Sequence, residues 1–137
     1  MNVCIVEDSV LIQERLKRMI EELPETKITG IAGDLRTAEQ MLLGDAPENT
    51  GSDRDVQAVV LDTQLPDGNS LELLRRIKFR NPEIKVVVFS NHASEECRLL
   101  AQRADADSFL DKSTDCELLV QLLQNWQHNF FESTIRK

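Results

Sequence analysis

Residues 58–77 read Ala58-Val59-Val60-Leu61-Asp62-Thr63-Gln64-Leu65-Pro66-Asp67-Gly68-Asn69-Ser70-Leu71-Glu72-Leu73-Leu74-Arg75-Arg76-Ile77, and the change of period inside this stretch decides the fold. Four consecutive apolar residues closed by an aspartate fit a strand covered on both faces. Pro66-Asp67-Gly68-Asn69 is rich in turn formers, and Leu73, Leu74 and Ile77 then recur at helical spacing. Asn69 with Glu72 three residues later predicts the cap of that helix, and Asn81-Pro82 ends it.

The same alternation extends in both directions. Val3-Cys4-Ile5-Val6 is an apolar run ending in Glu7-Asp8, followed by Ile12, Leu16, Met19, Ile20 and Leu23 at helical spacing, with Pro24 as the stop. Ile28-Thr29-Gly30-Ile31-Ala32 predicts a second strand, and Leu35, Ala38, Met41 and Leu42 mark a shorter helix. Residues 44–55 lack apolar periodicity and read as a long loop. Towards the C-terminus, Val86-Val87-Val88-Phe89 predicts a strand ending at Ser90. Ser94 opens a helix with Glu95 and Glu96 in its first turn and an apolar stripe of Cys97, Leu100, Ala101 and Ala104. Ser108-Phe109-Leu110 precedes Asp111-Lys112. Thr114 and Glu117 form a capping-box pattern ahead of Leu119, Leu122, Leu123 and Trp126. Five strands and five helices in strict alternation predict one α/β domain, a doubly wound parallel sheet with helices on both faces and right-handed crossovers.

Composition narrows the function. The chain has 137 residues, 41% of them hydrophobic, and carries 16 Lys and Arg against 24 Asp and Glu. The net charge of −8 is the wrong sign for a phosphate-backbone binder, so no direct nucleic-acid partner is expected. No apolar run approaches the roughly 20 residues of a membrane span, and the N-terminus turns acidic too early for a signal peptide, which predicts a cytoplasmic protein without membrane insertion. Cys4, Cys97 and Cys116 have neither disulfide nor zinc spacing and read as reduced thiols.

In open sheets of this kind chemistry sits beyond the carboxyl ends of the strands. The residues there are Glu7-Asp8, Asp62, Ser90 and Lys112. If the first and third strands are neighbours, three carboxylates converge, and their repulsion calls for a cation. Mg²⁺, which takes hard oxygen ligands and needs no His or Cys, fits best. Lys112 adds a fixed positive charge and Ser90 a hydroxyl, so the edge suits a phosphoryl group beside an aspartate capable of covalent chemistry.

These residues together, with Phe109 three positions before Lys112 and Asp62 inside Asp-Thr-Gln-Leu-Pro-Asp-Gly, closely resemble the receiver domain of bacterial two-component response regulators. The resemblance covers residues 1–127 and leaves 128–137 as an extension of the last helix or a tail. It implies a sheet of order 2-1-3-4-5 and makes Asp62 the phosphoacceptor for a phosphohistidine on a sensor histidine kinase or histidine phosphotransfer protein. Asp8, Asp62 and the main-chain carbonyl of Gln64 would hold Mg²⁺, with Glu7 acting through a metal-bound water. Lys112 would grip a phosphoryl oxygen, and Ser90 with Phe109 would form the switch. The output would be the face of helix four, strand five and helix five, presented to a downstream protein or a second copy. Such a domain catalyses only its own phosphorylation and dephosphorylation. Gln64, Asn91 and His92 flank the entrance and would tune the phosphate lifetime. Three positions depart from the family pattern: Ser113 replaces the usual cis-proline after the lysine, Asn91 replaces a smaller residue, and Phe109 replaces a frequent Tyr.

Other features carry less. Arg75, Arg76, Lys78 and Arg80 read as a solvated basic face or a contact for an acidic partner. Trp126 is expected in the core, whereas Phe130 and Phe131 could serve a contact or pack on the chain itself. A phosphatase with an aspartyl nucleophile needs a second aspartate where Gln64 stands, and a flavodoxin-like phosphate loop would be repelled by Glu7-Asp8. A stand-alone receiver is therefore expected, with the receiver fragment of a DNA-binding regulator and a phosphorelay shuttle as the alternatives.

Overall fold

The computed structural model describes residues 1–44 and 56–136. Five parallel strands, β1 (Asn2–Val6), β2 (Lys27–Ala32), β3 (Ala58–Leu61), β4 (Lys85–Ser90) and β5 (Ser108–Asp111), form one sheet of order β2-β1-β3-β4-β5. They alternate with α1 (Val10–Glu21), α2 (Leu35–Leu43), α3 (Leu71–Arg80), α4 (Glu95–Arg103) and α5 (Cys116–Arg136). This is the doubly wound fold that the sequence predicts, with the 2-1-3-4-5 order that the family resemblance implies.

The continuous apolar runs are explained by two cores, one on each face. Side chains alternate across a strand, so each run must be apolar at every position. Cys4, Val6, Val59, Leu61, Val86 and Val88 face a core completed by Ala38, Leu73, Leu74, Ile77 and Ala101 from α2, α3 and α4. Val3, Ile5, Ala58, Val60, Val87 and Phe89 face the other, completed by Leu16 and Ile20 of α1 and Leu119, Leu123 and Trp126 of α5. Burying each large aliphatic side chain contributes about 1.5–3 kcal/mol. Register fixes the functional edge: Val6 pairs with Ala32 and Leu61, and Leu61 with Val88, so β1, β2 and β3 end level, while β4 and β5 run two residues further and end at the Ser90–Asp111 pair.

Several local expectations are corrected. The N-cap of α3 is Ser70, not Asn69, although the Asn69 Oδ1 atom still accepts the Leu71 amide at 2.8 Å. The Thr114–Glu117 box is not formed. α5 starts at Cys116, the Leu119 amide bonds the Asp115 carbonyl, and the Thr114 hydroxyl donates to Asp115. Leu100 is exposed, because only Ala101 and Ala104 of the α4 stripe reach the core. α1 ends at Glu21, three residues before Pro24. The loop expected over residues 44–55 lies, beyond Gly44, outside the described residues.

Of the basic residues of α3, Arg75, Arg76 and Arg80 are exposed, as a solvated face requires, and Lys78 is half-buried. Arg75 lies 3.6 Å from Glu72 and Arg76 3.6 Å from Glu39, while Lys78 is tied at 2.9 Å to Asp107 and Arg80 donates to the Leu43 carbonyl. Trp126 is buried, Phe130 packs against the α1/α5 core, and Phe131 is exposed.

Candidate functional site

The residue after each of three strands is still held by the sheet. The Glu7 amide bonds the Ala32 carbonyl at 2.9 Å, Asp62 the Val6 carbonyl at 3.0 Å, and Lys112 the Ser90 carbonyl at 2.9 Å. Backbone rigidity therefore extends one residue past the strands, to the chemical groups themselves.

Glu7, Asp8 and Asp62 each bring one carboxylate oxygen within 4.8 Å of the other two. Glu7 and Asp62 are buried and Asp8 is exposed. The Lys112 ammonium donates to Glu7 Oε1 and, at 2.9 Å, to Asp62 Oδ2. The remaining Glu7 oxygen accepts the Ser9 amide at 2.9 Å, and Asp62 Oδ1 accepts the Gln64 amide at 3.2 Å. Burial pushes the Glu7 carboxyl above its ordinary pKa, opposed by Lys112 and the Ser9 amide. Burial pulls Lys112 down, but its bonds and charge contacts with Glu7 and Asp62 outweigh this and leave its pKa raised. Three carboxylates against one ammonium leave an excess of negative charge, and an all-oxygen donor set of this kind fits Mg²⁺.

Ser90 is fully buried. Its Oγ accepts the His92 amide at 3.0 Å and sits 2.8 Å from the Thr63 hydroxyl, which is also buried. Phe109 is half-buried against the α2/α3/α4 core, with the Arg98 guanidinium 4.8 Å from its ring centroid. The sheet thus brings Glu7, Asp8, Asp62 and Lys112 together, while Ser90 is engaged with Thr63 and His92, and Phe109 with Arg98. The residues Gln64, Asn91 and His92 are exposed beside them.

Two loops are shaped by contacts that pattern reading missed. Ser70, buried, donates its hydroxyl to the Asp62 carbonyl at 2.6 Å, and its amide bonds the Thr63 carbonyl at 3.0 Å. The Asp67 carboxylate accepts the Leu35 and Arg36 amides at 2.7 and 3.0 Å, joining the Asp62 loop to the N-terminus of α2. Residues 64–65 and 68–69 pair as a short antiparallel ribbon, and Gly68, at φ +145°, supplies a backbone angle that other residues rarely adopt. After Lys112 the described peptide bonds are all trans, Lys112–Ser113 included. Asp111 Oδ1 instead sets that turn by accepting both the amide and the hydroxyl of Ser113, at 2.8 and 2.6 Å. The only sequence signals for these roles were polar residues in a turn, which do not announce burial or a distant partner.

No helix among the described residues is long and apolar enough to cross a membrane. A family model for the response regulator receiver domain matches residues 3–124. A probable transcriptional regulatory protein of Picosynechococcus is 32% identical over 118 residues, covering 86% of this chain and 45% of that protein. A two-component response regulator of the LuxR family from Aurantimonas superposes with TM-score 0.75 at 25% identity, covering 90% of this chain and 82% of that one. The BeF3-activated DrrB receiver domain, of a Thermotoga maritima protein, shares the fold at TM-score 0.72 and 23% identity, covering 93% and 97% of the two chains. The chain spans about half the length of several curated relatives it matches, including a DNA-binding activator of Mycobacterium tuberculosis and a sensory transduction protein of Bacillus anthracis.

Proposed function

Because this chain belongs to the response regulator receiver domain family of two-component signalling, we propose that it is a phosphoacceptor, with Asp62 as the residue modified and residues 1–127 as the working domain. The observation that carries the reading is Lys112 bonded to both Glu7 and Asp62, with Asp8 within 4.8 Å of them. An Asp62 carboxylate oxygen attacks the phosphorus of a phosphohistidine on a sensor kinase or phosphotransfer protein. The new O–P bond forms as the P–N bond breaks, and its electron pair stays on the imidazole. Lys112 offsets the charge that spreads over the phosphoryl oxygens, in a position already fixed by the sheet. Glu7, Asp8, Asp62 and the Gln64 carbonyl are the residues that would hold Mg²⁺, whose charge neutralises the incoming group.

Ser90 and Phe109 form the switch in this reading: Ser90 turns to bond the phosphoryl group, and Phe109 moves into the space that is released. The face of α4, β5 and α5 then changes its fit to a downstream protein or to a second copy. Leu99, Leu100 and Leu118 are exposed on α4 and α5 and suit an apolar contact. The exposed Gln64, Asn91 and His92 tune the lifetime of the phosphate. The protein works in the cytoplasm without direct nucleic-acid contact, and its chemistry is confined to its own phosphorylation and dephosphorylation. A second reading makes this chain the receiver part of a transcriptional regulator, favoured by the Picosynechococcus relative, a probable transcriptional regulatory protein of which this chain covers 45%.

The test is intact mass after incubation with acetyl phosphate, and with a phosphohistidine donor, with and without Mg²⁺. A single phosphoryl adduct that needs Mg²⁺ and is lost in Asp62→Asn is expected. An adduct that survives Asp62→Asn, or none from either donor, would overturn the reading.

A further inference from the structure

The residue after the phosphoacceptor is in direct contact with the switch serine. Thr63 Oγ1 and Ser90 Oγ lie 2.8 Å apart, with both residues buried, so no solvent competes for the bond. Ser90 Oγ also accepts the His92 amide at 3.0 Å. Among the described residues these are the two hydrogen bonds of the Ser90 hydroxyl, and neither reaches Asp62 or Lys112. A phosphoryl oxygen only accepts, whereas Ser90 has one proton to offer. Either hydroxyl can be the donor of the Thr63–Ser90 bond, and since neither contact of Ser90 Oγ reaches Asp62, bringing that oxygen to a phosphoryl group there moves it away from the position that Thr63 and His92 hold.

We propose that Thr63 is a latch on the switch: its buried hydroxyl holds Ser90 in the resting position, and this bond is given up when Ser90 engages a phosphoryl group on Asp62. The inference rests on the phosphoacceptor reading and adds a positioning residue that regulates it. Thr63 is placed for this role by the chain itself. Its amide follows Asp62, and its carbonyl is held by the Ser70 amide at 3.0 Å, so the hydroxyl is presented to Ser90 from a fixed backbone. The latch opposes switching, so its removal favours the phosphorylated arrangement. Its conservative replacement by serine keeps a hydroxyl at the same place.

The test titrates beryllofluoride, a mimic of the phosphoryl group, in Mg²⁺ buffer and follows the bound fluorines by NMR. Thr63→Val keeps the shape and loses the hydroxyl, and should bind about five-fold more tightly, the factor that one neutral hydrogen bond is worth. Thr63→Ser should behave as the wild type. In a Ser90→Ala background the change at position 63 should have no effect. Equal or weaker binding by Thr63→Val overturns the latch, as does an effect that persists in Ser90→Ala or a failure of Thr63→Ser to restore wild-type binding. Absence of any adduct on the wild-type chain overturns the phosphoacceptor reading first and the latch with it.

Discussion

The ammonium of Lys112 lies 2.9 Å from Oδ2 of Asp62, although the two residues are 50 positions apart and stand at the ends of different strands. The same ammonium donates to Glu7. One cation therefore holds two buried carboxylates that would otherwise repel, and it does so from a backbone tied to Ser90. Among the described residues no cation is paired with the exposed Asp8, and there an added cation has the most to gain.

Replacing Lys112 by methionine should expose this dependence. The side chains of Lys112, Glu7 and Asp62 are only 7%, 3% and 8% exposed, so solvent cannot take over the lost bonds. Removing one partner from a buried ion pair costs about 3 kcal/mol. Urea unfolding without Mg²⁺ should show a loss of that order, and Mg²⁺ should restore more stability to the variant than it adds to the wild type. A variant as stable as the wild type in both conditions would contradict this role for Lys112.

Asp67 gives a pH signature at the other side of the loop that follows Asp62. The Leu35 amide, helped by that of Arg36, holds its carboxyl below the ordinary carboxylate range. A depressed folded-state pKa contributes stability that is present above the unfolded value, about 3.9, and is lost as pH falls through the folded value. Asp67→Ala should therefore be less stable than the wild type at neutral pH, with the gap closing below about pH 4. Urea midpoints across pH measure it, and a gap that does not change with pH would count against the clamp.

The three cysteines should separate by reactivity. Cys4 is fully buried in β1, and burial pushes its thiol up to about 12, while Cys97 and Cys116 are partly exposed. A thiol reagent at mildly alkaline pH should label Cys97 and Cys116 in the native protein and Cys4 only after denaturation. Prompt labelling of native Cys4 would mean that the packing around β1 opens readily to solvent.

The sheet was legible because its strands are buried on both faces, a condition that writes itself into sequence as unbroken apolar runs such as Val59-Val60-Leu61. Glu7, Asp62 and Lys112 were legible for the same reason, since each follows such a run. Other features depended on partners far along the chain. Asp67 looks like any turn aspartate until α2, some thirty residues earlier, presents its amides. Lys78 looks solvated until Asp107 arrives from before β5. Thr63 and Ser70 are buried hydroxyls in a segment whose composition suggests solvent. The cap of α3 fell one residue from its expected place because Asn69 can bond the helix without being its boundary residue. Leu100 matched the α4 spacing, yet small alanines, not leucines, make that helix's buried contact.

The most direct test of the central claim is to locate the phosphoryl group. An aspartyl phosphate is reduced by borohydride to homoserine, so the protein phosphorylated with Mg²⁺ present can be reduced, digested and sequenced by mass. Homoserine is expected at position 62 and at no other aspartate. Homoserine at Asp8 or Asp67 with Asp62 intact would contradict the assignment of Asp62 as the phosphoacceptor.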